Sequence, residues 1–238
     1  GRTGGGVVGA GRGDCAEGAA AAVDIDWEPL PAISDARDAL AEGANLSHSD
    51  GENNIAAKFA PQYGDVDAAF LRAAKTVSVS IRHHRGGGHA LEGRGALAVH
   101  DVDEGRTMLW SATQAPHQVK RNIVGVLGWN ENEIDVIAPD VGGGFGMKGH
   151  VYPEEAIVAW ACKRVERPVK WIATRSESLM GDDHGRDQTV DAELALDENN
   201  KFIGLRWTGL HNVGAYIEGA GAIPVLFAVK LAPTVYNI

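Results

Sequence analysis

The stretch that most narrows the fold is Asp140-Val141-Gly142-Gly143-Gly144-Phe145-Gly146-Met147-Lys148. It follows the apolar run Ile134-Asp135-Val136-Ile137-Ala138 and precedes a helical pattern opening at Pro153. Four glycines in five positions carry no Cβ, so the backbone can take positive φ and bring main-chain N–H groups close to a bound group. Such N–H groups can cradle an anion. The spacing is not G-x-G-x-x-G, no Gly-Lys-Ser/Thr follows, and no acidic residue stands at the ribose-binding offset, so the usual nucleotide fingerprints are missing. Taken alone, the run reads equally as a tight turn or as a ligand loop.

What surrounds the loop sets the fold class. Upstream, Val7-Val8-Gly9 reads as a strand end, Asp14 to Ala22 as a short Ala-rich helix, and Val23 to Trp27 as a strand stopped by Pro29 and Pro31. Ser34 is a candidate N-cap for a short helix to Leu40, and Glu42 to Ala60 is a Gly-, Asn- and Ser-rich connector. Asp65 caps an expected helix over Val66 to Ala74, followed by a strand at Thr76 to Ile81. Ala96 to His100 and Thr107 to Ser111 form a hairpin about Glu104-Gly105-Arg106.

Gln114 then sits at a strand-to-helix junction, with Pro116 at the first helical position. Val119, Ile123, Val126 and Leu127 form the expected buried face up to Gly128. Beyond the loop come a helix from Pro153 to Lys163, a strand over Val169 to Thr174, and a helical turn at Arg175-Ser176-Glu177. A hairpin of Thr189 to Leu196 with Phe202 to Val213 follows. Strands and helices mix without βαβ regularity, which is α+β.

Chemistry-bearing residues are sparse outside the loop. His83, His84 and His89 lack an acidic or cysteine partner at a ligand spacing, so an ordinary strand is the preferred reading and no metal held by protein side chains is expected. Glu154 and Glu155 lie adjacent on a helix, projecting about 100° apart, and read as first-turn charges facing the helix dipole rather than as an acid–base pair. Cys15 and Cys162 form no C-x-x-C pair and suggest a reducing compartment, the cytoplasm. A net charge of −10 with dispersed Lys and Arg argues against a nucleic-acid or anionic-membrane surface. No apolar run reaches the roughly 18 residues of a membrane span, and 238 residues hold one large or two modest domains. The first residue is Gly1 and the last Ile238, so the chain is read as a fragment.

Taken in order, Thr113-Gln114-Ala115-Pro116-His117, Val141 to Lys148, Tyr152-Pro153-Glu154-Glu155-Ala156 and Arg167-Pro168-Val169-Lys170-Trp171 resemble the molybdenum hydroxylase family. Its members include the large subunits of xanthine dehydrogenase, aldehyde oxidase and aerobic carbon monoxide dehydrogenase. The resemblance continues through His184-Gly185-Arg186-Asp187, Asp191 to Ala195 and Gly214-Ala215-Tyr216, and upstream through Val23 to Ala32. It implies the end of an α/β hammerhead domain over 1–35, a connector over 36–62, and an incomplete molybdenum-cofactor-binding domain over 63–238.

The implied cofactor is molybdenum on a molybdopterin, in many bacterial members as the cytosine dinucleotide, with the metal held by the pterin sulfurs. Gln114 matches the glutamine whose amide approaches an oxo ligand of the metal. Phe145 matches a residue whose main chain contacts the cofactor, and Gly143, Gly144 and Gly146 would let that main chain approach. The implied reaction is hydroxylation of an aldehyde or N-heteroaromatic compound by water, or oxidation of carbon monoxide. Electrons would pass to [2Fe-2S] and FAD on an iron-sulfur subunit and a FAD subunit, in a dimer of heterotrimers.

Two departures follow from the same resemblance. Purine-oxidising relatives carry a glutamate after the loop's Gly-Lys, whereas Lys148 is followed by Gly149. The family's catalytic glutamate, its active-site arginine loop and the copper-binding cysteine of true carbon monoxide dehydrogenases are expected beyond Ile238, so the isolated chain is not expected to turn over. Two other readings stand beside this one: a noncatalytic scaffold that keeps the fold without cofactor, and a stand-alone phosphate or nucleotide binder.

Overall fold

The hairpin read about Glu104 is the centre of the first structural unit. The structure, a computed structural model, describes residues 9–217 and 221–231. Strands β2 (Gly95–Asp101) and β3 (Arg106–Ser111) pair antiparallel, with Ala98 opposite Leu109 and Ala96 opposite Ser111. Alternate residues bury, so Ala96, Ala98, Thr107, Leu109 and Ser111 line one face. β4 (Ile134–Ile137) lies parallel to β3, and β5 (Val169–Ile172) lies antiparallel to β2, giving the order β4-β3-β2-β5.

A parallel pair needs a crossover, and helix α3 (Pro116–Leu127) supplies it. Its buried line is Val119 and Ile123, with Leu127 packed against the core. Val126, expected on that face, is exposed; it lies at the margin of the 119/123/127 line, about 60° around the helix from Ile123 and about 100° from Leu127. Gly128 ends the helix at φ 67. Helix α4 (Pro153–Val165) covers the same sheet face through Val158, Ala159 and Cys162.

The core fixes a contrast between the two thiols. Burial pushes Cys162 up to about 11, whereas Cys15, on helix α1 (Gly13–Ala21), is exposed. The thiolate is the reactive form. A maleimide at neutral pH is therefore expected to label Cys15 in the native protein and Cys162 only after denaturation, as read by peptide mass spectrometry. Native labelling of Cys162 would contradict this packing.

The second unit, residues 29–86 and 184–238, is built on the sheet β1-β6-β7. β1 (Lys75–Gly87) runs past the expected end at Ile81 and takes in His83 and His84. β6 (His184–Leu196) and β7 (Phe202–His211) form the expected hairpin, turned at Asp197, whose carboxylate accepts from Asn199 and Lys201 N–H. Helix α2 (Val66–Leu71) is capped by Asp65, which accepts from Ala68 N–H at 3.0 Å, and seats Ala69 against Gly204.

Two upstream readings change, and a third falls mostly outside the described residues. Val23 to Trp27 forms no strand, since among the described residues no strand pairs with it, and Trp27 is exposed. The helix begun at Ser34 shortens to a 3₁₀ turn at Asp38–Leu40. Of the Val7-Val8-Gly9 strand, only Gly9 lies among the described residues. Helices α5 (Arg175–Gly181) and α6 (Ile223–Leu231) complete the α+β architecture. Among the described residues no helix is long and apolar enough to cross a membrane.

Candidate functional site

The parallel pairing of β3 and β4 brings the two sequence-selected features together. Gln114 follows the C-terminal end of β3, and the glycine loop follows the C-terminal end of β4, so both lie at one edge of the sheet. Ligands of α/β units gather at such ends because the following loops and helix N-termini converge there. The carboxamide Oε1 of Gln114 accepts from Gly146 N–H at 3.0 Å. Since that backbone group can only donate, the amide is oriented with oxygen toward the loop and nitrogen away from it.

The loop conformation needs its glycines for two separate reasons. Gly143 and Gly146 have φ of 100° and 87°, which L side chains rarely adopt. Gly144 is needed for space, because a Cβ there would lie 2.4 Å from Gln114 Oε1. Phe145 also has positive φ, 52°, and its side chain is exposed. A non-glycine residue held there carries strain of about 1–3 kcal/mol, and such outliers cluster at ligand sites. Among the described residues the N–H groups of Gly144 and Phe145 have no backbone or side-chain acceptor.

Beneath the loop, the Lys148 side chain is fully enclosed, at 0% exposure. Its Nζ reaches Glu92 Oε2 at 2.7 Å, and its carbonyl accepts from Gln114 N–H and Thr113 Oγ1, each at 3.0 Å. The hydrogen bond from Lys148 holds the Glu92 carboxyl below its ordinary range. Arg94, also buried, stacks 3.7 Å from the Tyr152 ring centroid and ion-pairs with Asp182 and Glu154. Tyr152 Oη donates to Met147 carbonyl at 2.8 Å, tying this cluster to the loop.

Glu154 and Glu155 divide their roles. Glu155 closes a capping box through Tyr152 N–H and accepts from Ser111 Oγ; burial holds its carboxyl above the ordinary range. Glu154 faces Arg94 and is part-exposed. Their readings as first-turn charges therefore hold with additions that only packing supplies. Among the described residues no group of three or more His, Cys, Asp and Glu is placed to hold a metal ion.

Gln114, Gly143, Gly144, Phe145 and Gly146 thus come together in one place. Glu92, Arg94 and Thr113 were missed as site residues. The available signal was a lone Glu-x-Arg between a glycine-rich run and an apolar strand, which is indistinguishable from surface charge until Lys148 and Asp182 are seen to bury against it.

Residues 47–238 match the molybdopterin cofactor-binding domain. The chain is 36% identical over 201 residues to the nicotine 6-hydroxylase large subunit of Paenarthrobacter nicotinovorans, covering 84% of this chain and 24% of that protein. It is 31% identical over 223 residues to the carbon monoxide dehydrogenase large chain of Hydrogenophaga pseudoflava, covering 88% and 28%. Among solved structures, quinoline 2-oxidoreductase from Pseudomonas putida 86 superposes with a TM-score of 0.80 at 32% identity, over 85% of this chain and 26% of that one. The chain spans about a quarter of the length of these relatives. With a domain match over most of its length and large-subunit relatives above 30% identity across more than four-fifths of it, the chain belongs to the molybdenum hydroxylase family, through the molybdopterin cofactor-binding domain of its large subunits.

Proposed function

We propose that this chain forms the pterin-facing part of the catalytic subunit of a molybdenum hydroxylase. The substrate class is an aldehyde, an N-heteroaromatic compound or carbon monoxide, with water as the oxygen source. The observation that carries this reading is the single contact between Gln114 Oε1 and Gly146 N–H, which fixes a neutral amide beside a loop with unengaged backbone donors.

The residues fit the group. The N–H donors of Gly144 and Phe145 suit an anionic ligand in a chain of net charge −10, and Gly146 has open space where a Cβ would stand. When bound, the molybdenum–molybdopterin supplies the redox centre of the hydroxylation. Gln114 presents its amide nitrogen away from the loop as a donor that stays uncharged at any working pH. The loop holds the cofactor by main chain, and Arg94, Tyr152 and Lys148 keep the loop from moving. The cytosine dinucleotide form, [2Fe-2S] and FAD on separate iron-sulfur and FAD subunits, a cytoplasmic setting and the division at 1–35, 36–62 and 63–238 belong to the same proposal.

Gln114→Ala in the intact enzyme is the test. Turnover per bound molybdenum is expected to fall on the order of 10²-fold, the usual cost of one preorganised donor. Gln114→Glu is expected to fall at least as far, since a carboxylate places charge where a neutral donor stood. Unchanged turnover in both variants would remove Gln114 from the reaction, and an intact protein without molybdenum or pterin would refute the assignment and leave the scaffold reading.

A further inference from the structure

One carboxylate oxygen holds both ends of the glycine loop. Glu92 Oε2 accepts from Gly142 N–H at 2.8 Å, where the loop begins, and from Lys148 Nζ at 2.7 Å, where it ends. Glu92 N–H also donates to Gly142 carbonyl at 3.4 Å. The approach requires glycine, since a Cβ on Gly142 would lie 2.6 Å from Glu92 Cβ. Lys148 is enclosed, and Glu92 is its ion-pair partner. The far side of Lys148 bonds Gln114 and Thr113 through its carbonyl.

We propose that Glu92 is a positioning residue, a latch that ties Gly142 to Lys148 and thereby sets where Gly146 meets Gln114. The argument is geometric. Between the loop's two tied ends the Gly144 and Phe145 N–H groups face no acceptor among the described residues, while Gln114 at Gly146 and Tyr152 at Met147 hold its middle, so Glu92 is the group that joins the first residue of the run to the last. A neutral amide at position 92 keeps the shape and an oxygen that can still accept from both donors, but removes the charge that strengthens the two bonds. The enclosed ammonium is then left without its counter-charge. That the loop faces a pterin rests on the reading above, whereas the latch rests only on these contacts.

The test is amide hydrogen exchange on the intact enzyme, comparing wild type, Glu92→Gln and the double variant Glu92→Gln/Lys148→Met. Exchange at Gly142 to Gly149 is expected to rise about tenfold or more in both variants relative to β2 and β3, because Glu92→Gln weakens the tie and the double variant removes its lysine half. The double variant, carrying no stranded charge, is expected to unfold closer to the wild-type temperature than Glu92→Gln alone. In enzyme that retains molybdenum, Glu92→Gln is also expected to alter the Mo(V) paramagnetic resonance spectrum. A lower unfolding temperature with loop exchange unchanged relative to the strands would make Glu92 merely structural and overturn the latch. Molybdenum-free wild type would overturn the proposed function, and exchange would still decide the latch.

Discussion

Gly144→Ala is expected to disable the intact enzyme while leaving the fold standing. The new methyl would lie 2.4 Å from Gln114 Oε1, 3.0 Å from its Cδ and 3.4 Å from its Cβ. The nearest atom is the end of a flexible side chain, so the carboxamide rotates away more cheaply than the backbone moves. The rotation breaks the bond to Gly146 N–H and turns the amide nitrogen out of place. Turnover per bound molybdenum is expected to fall on the order of 10²-fold, as in Gln114→Ala. The unfolding free energy is expected to fall by only about 1 kcal/mol, the usual scale of a surface-loop substitution with a mild clash.

The pair should also be non-additive. In Gln114→Ala/Gly144→Ala the clash is gone, so the double variant is expected to be no less active than Gln114→Ala alone and no less stable than Gly144→Ala alone. Steady-state kinetics normalised to metal content, with thermal unfolding on the same samples, measures both. Wild-type turnover in Gly144→Ala would mean that the amide of Gln114 has no part in the reaction.

Arg94→Leu carries the largest expected loss of stability. The side chain is 7% exposed, its guanidinium stacks on Tyr152 and lies 5.1 Å from the Trp171 ring centroid, and it pairs with Asp182 and Glu154. Asp182 has a side-chain exposure of 1%, so removing the arginine strands a buried carboxylate. Breaking a buried pair from one side costs about 3–5 kcal/mol. For a folded unit of this size that is a drop in unfolding temperature of roughly 10 °C. Arg94→Lys is expected to recover only part of it, because an ammonium can neither stack between two rings nor fork to two carboxylates. Thermal unfolding of the three proteins is the measurement, and a Leu variant within about 2 °C of wild type would show the cluster to be replaceable by apolar packing.

How much of this was legible beforehand differs by feature. The β2–β3 and β6–β7 hairpins were readable because a turn composition stood between two alternating or apolar runs. Helix α4 was readable from Pro153 and its acidic first turn. Val23 to Trp27 was misread because β-propensity describes a surface that fits a sheet and does not supply the neighbouring strand. Val126 was misread because two apolar lines, 119/123/127 and 119/126, are both compatible with helical spacing, and the facing sheet chooses between them.

By itself, the sequence determined where the backbone could be bare, at Gly142 to Gly146, and where a neutral amide stood at a strand end, at Gln114. It also determined the family, since ordered motifs survive without coordinates. Only the tertiary structure decided that β4 lies parallel beside β3, which places the two strand ends at one edge and lets Gln114 receive Gly146. It alone turned Glu92, Arg94 and Lys148 from dispersed charges into enclosed partners. The physical reason is that φ freedom and residue chemistry are local properties carried by each residue. The β3–β4 pairing joins Thr107 to Ile134 across a whole helix, the buried charges join residues 56 and 88 apart, and no local pattern encodes which segments will meet.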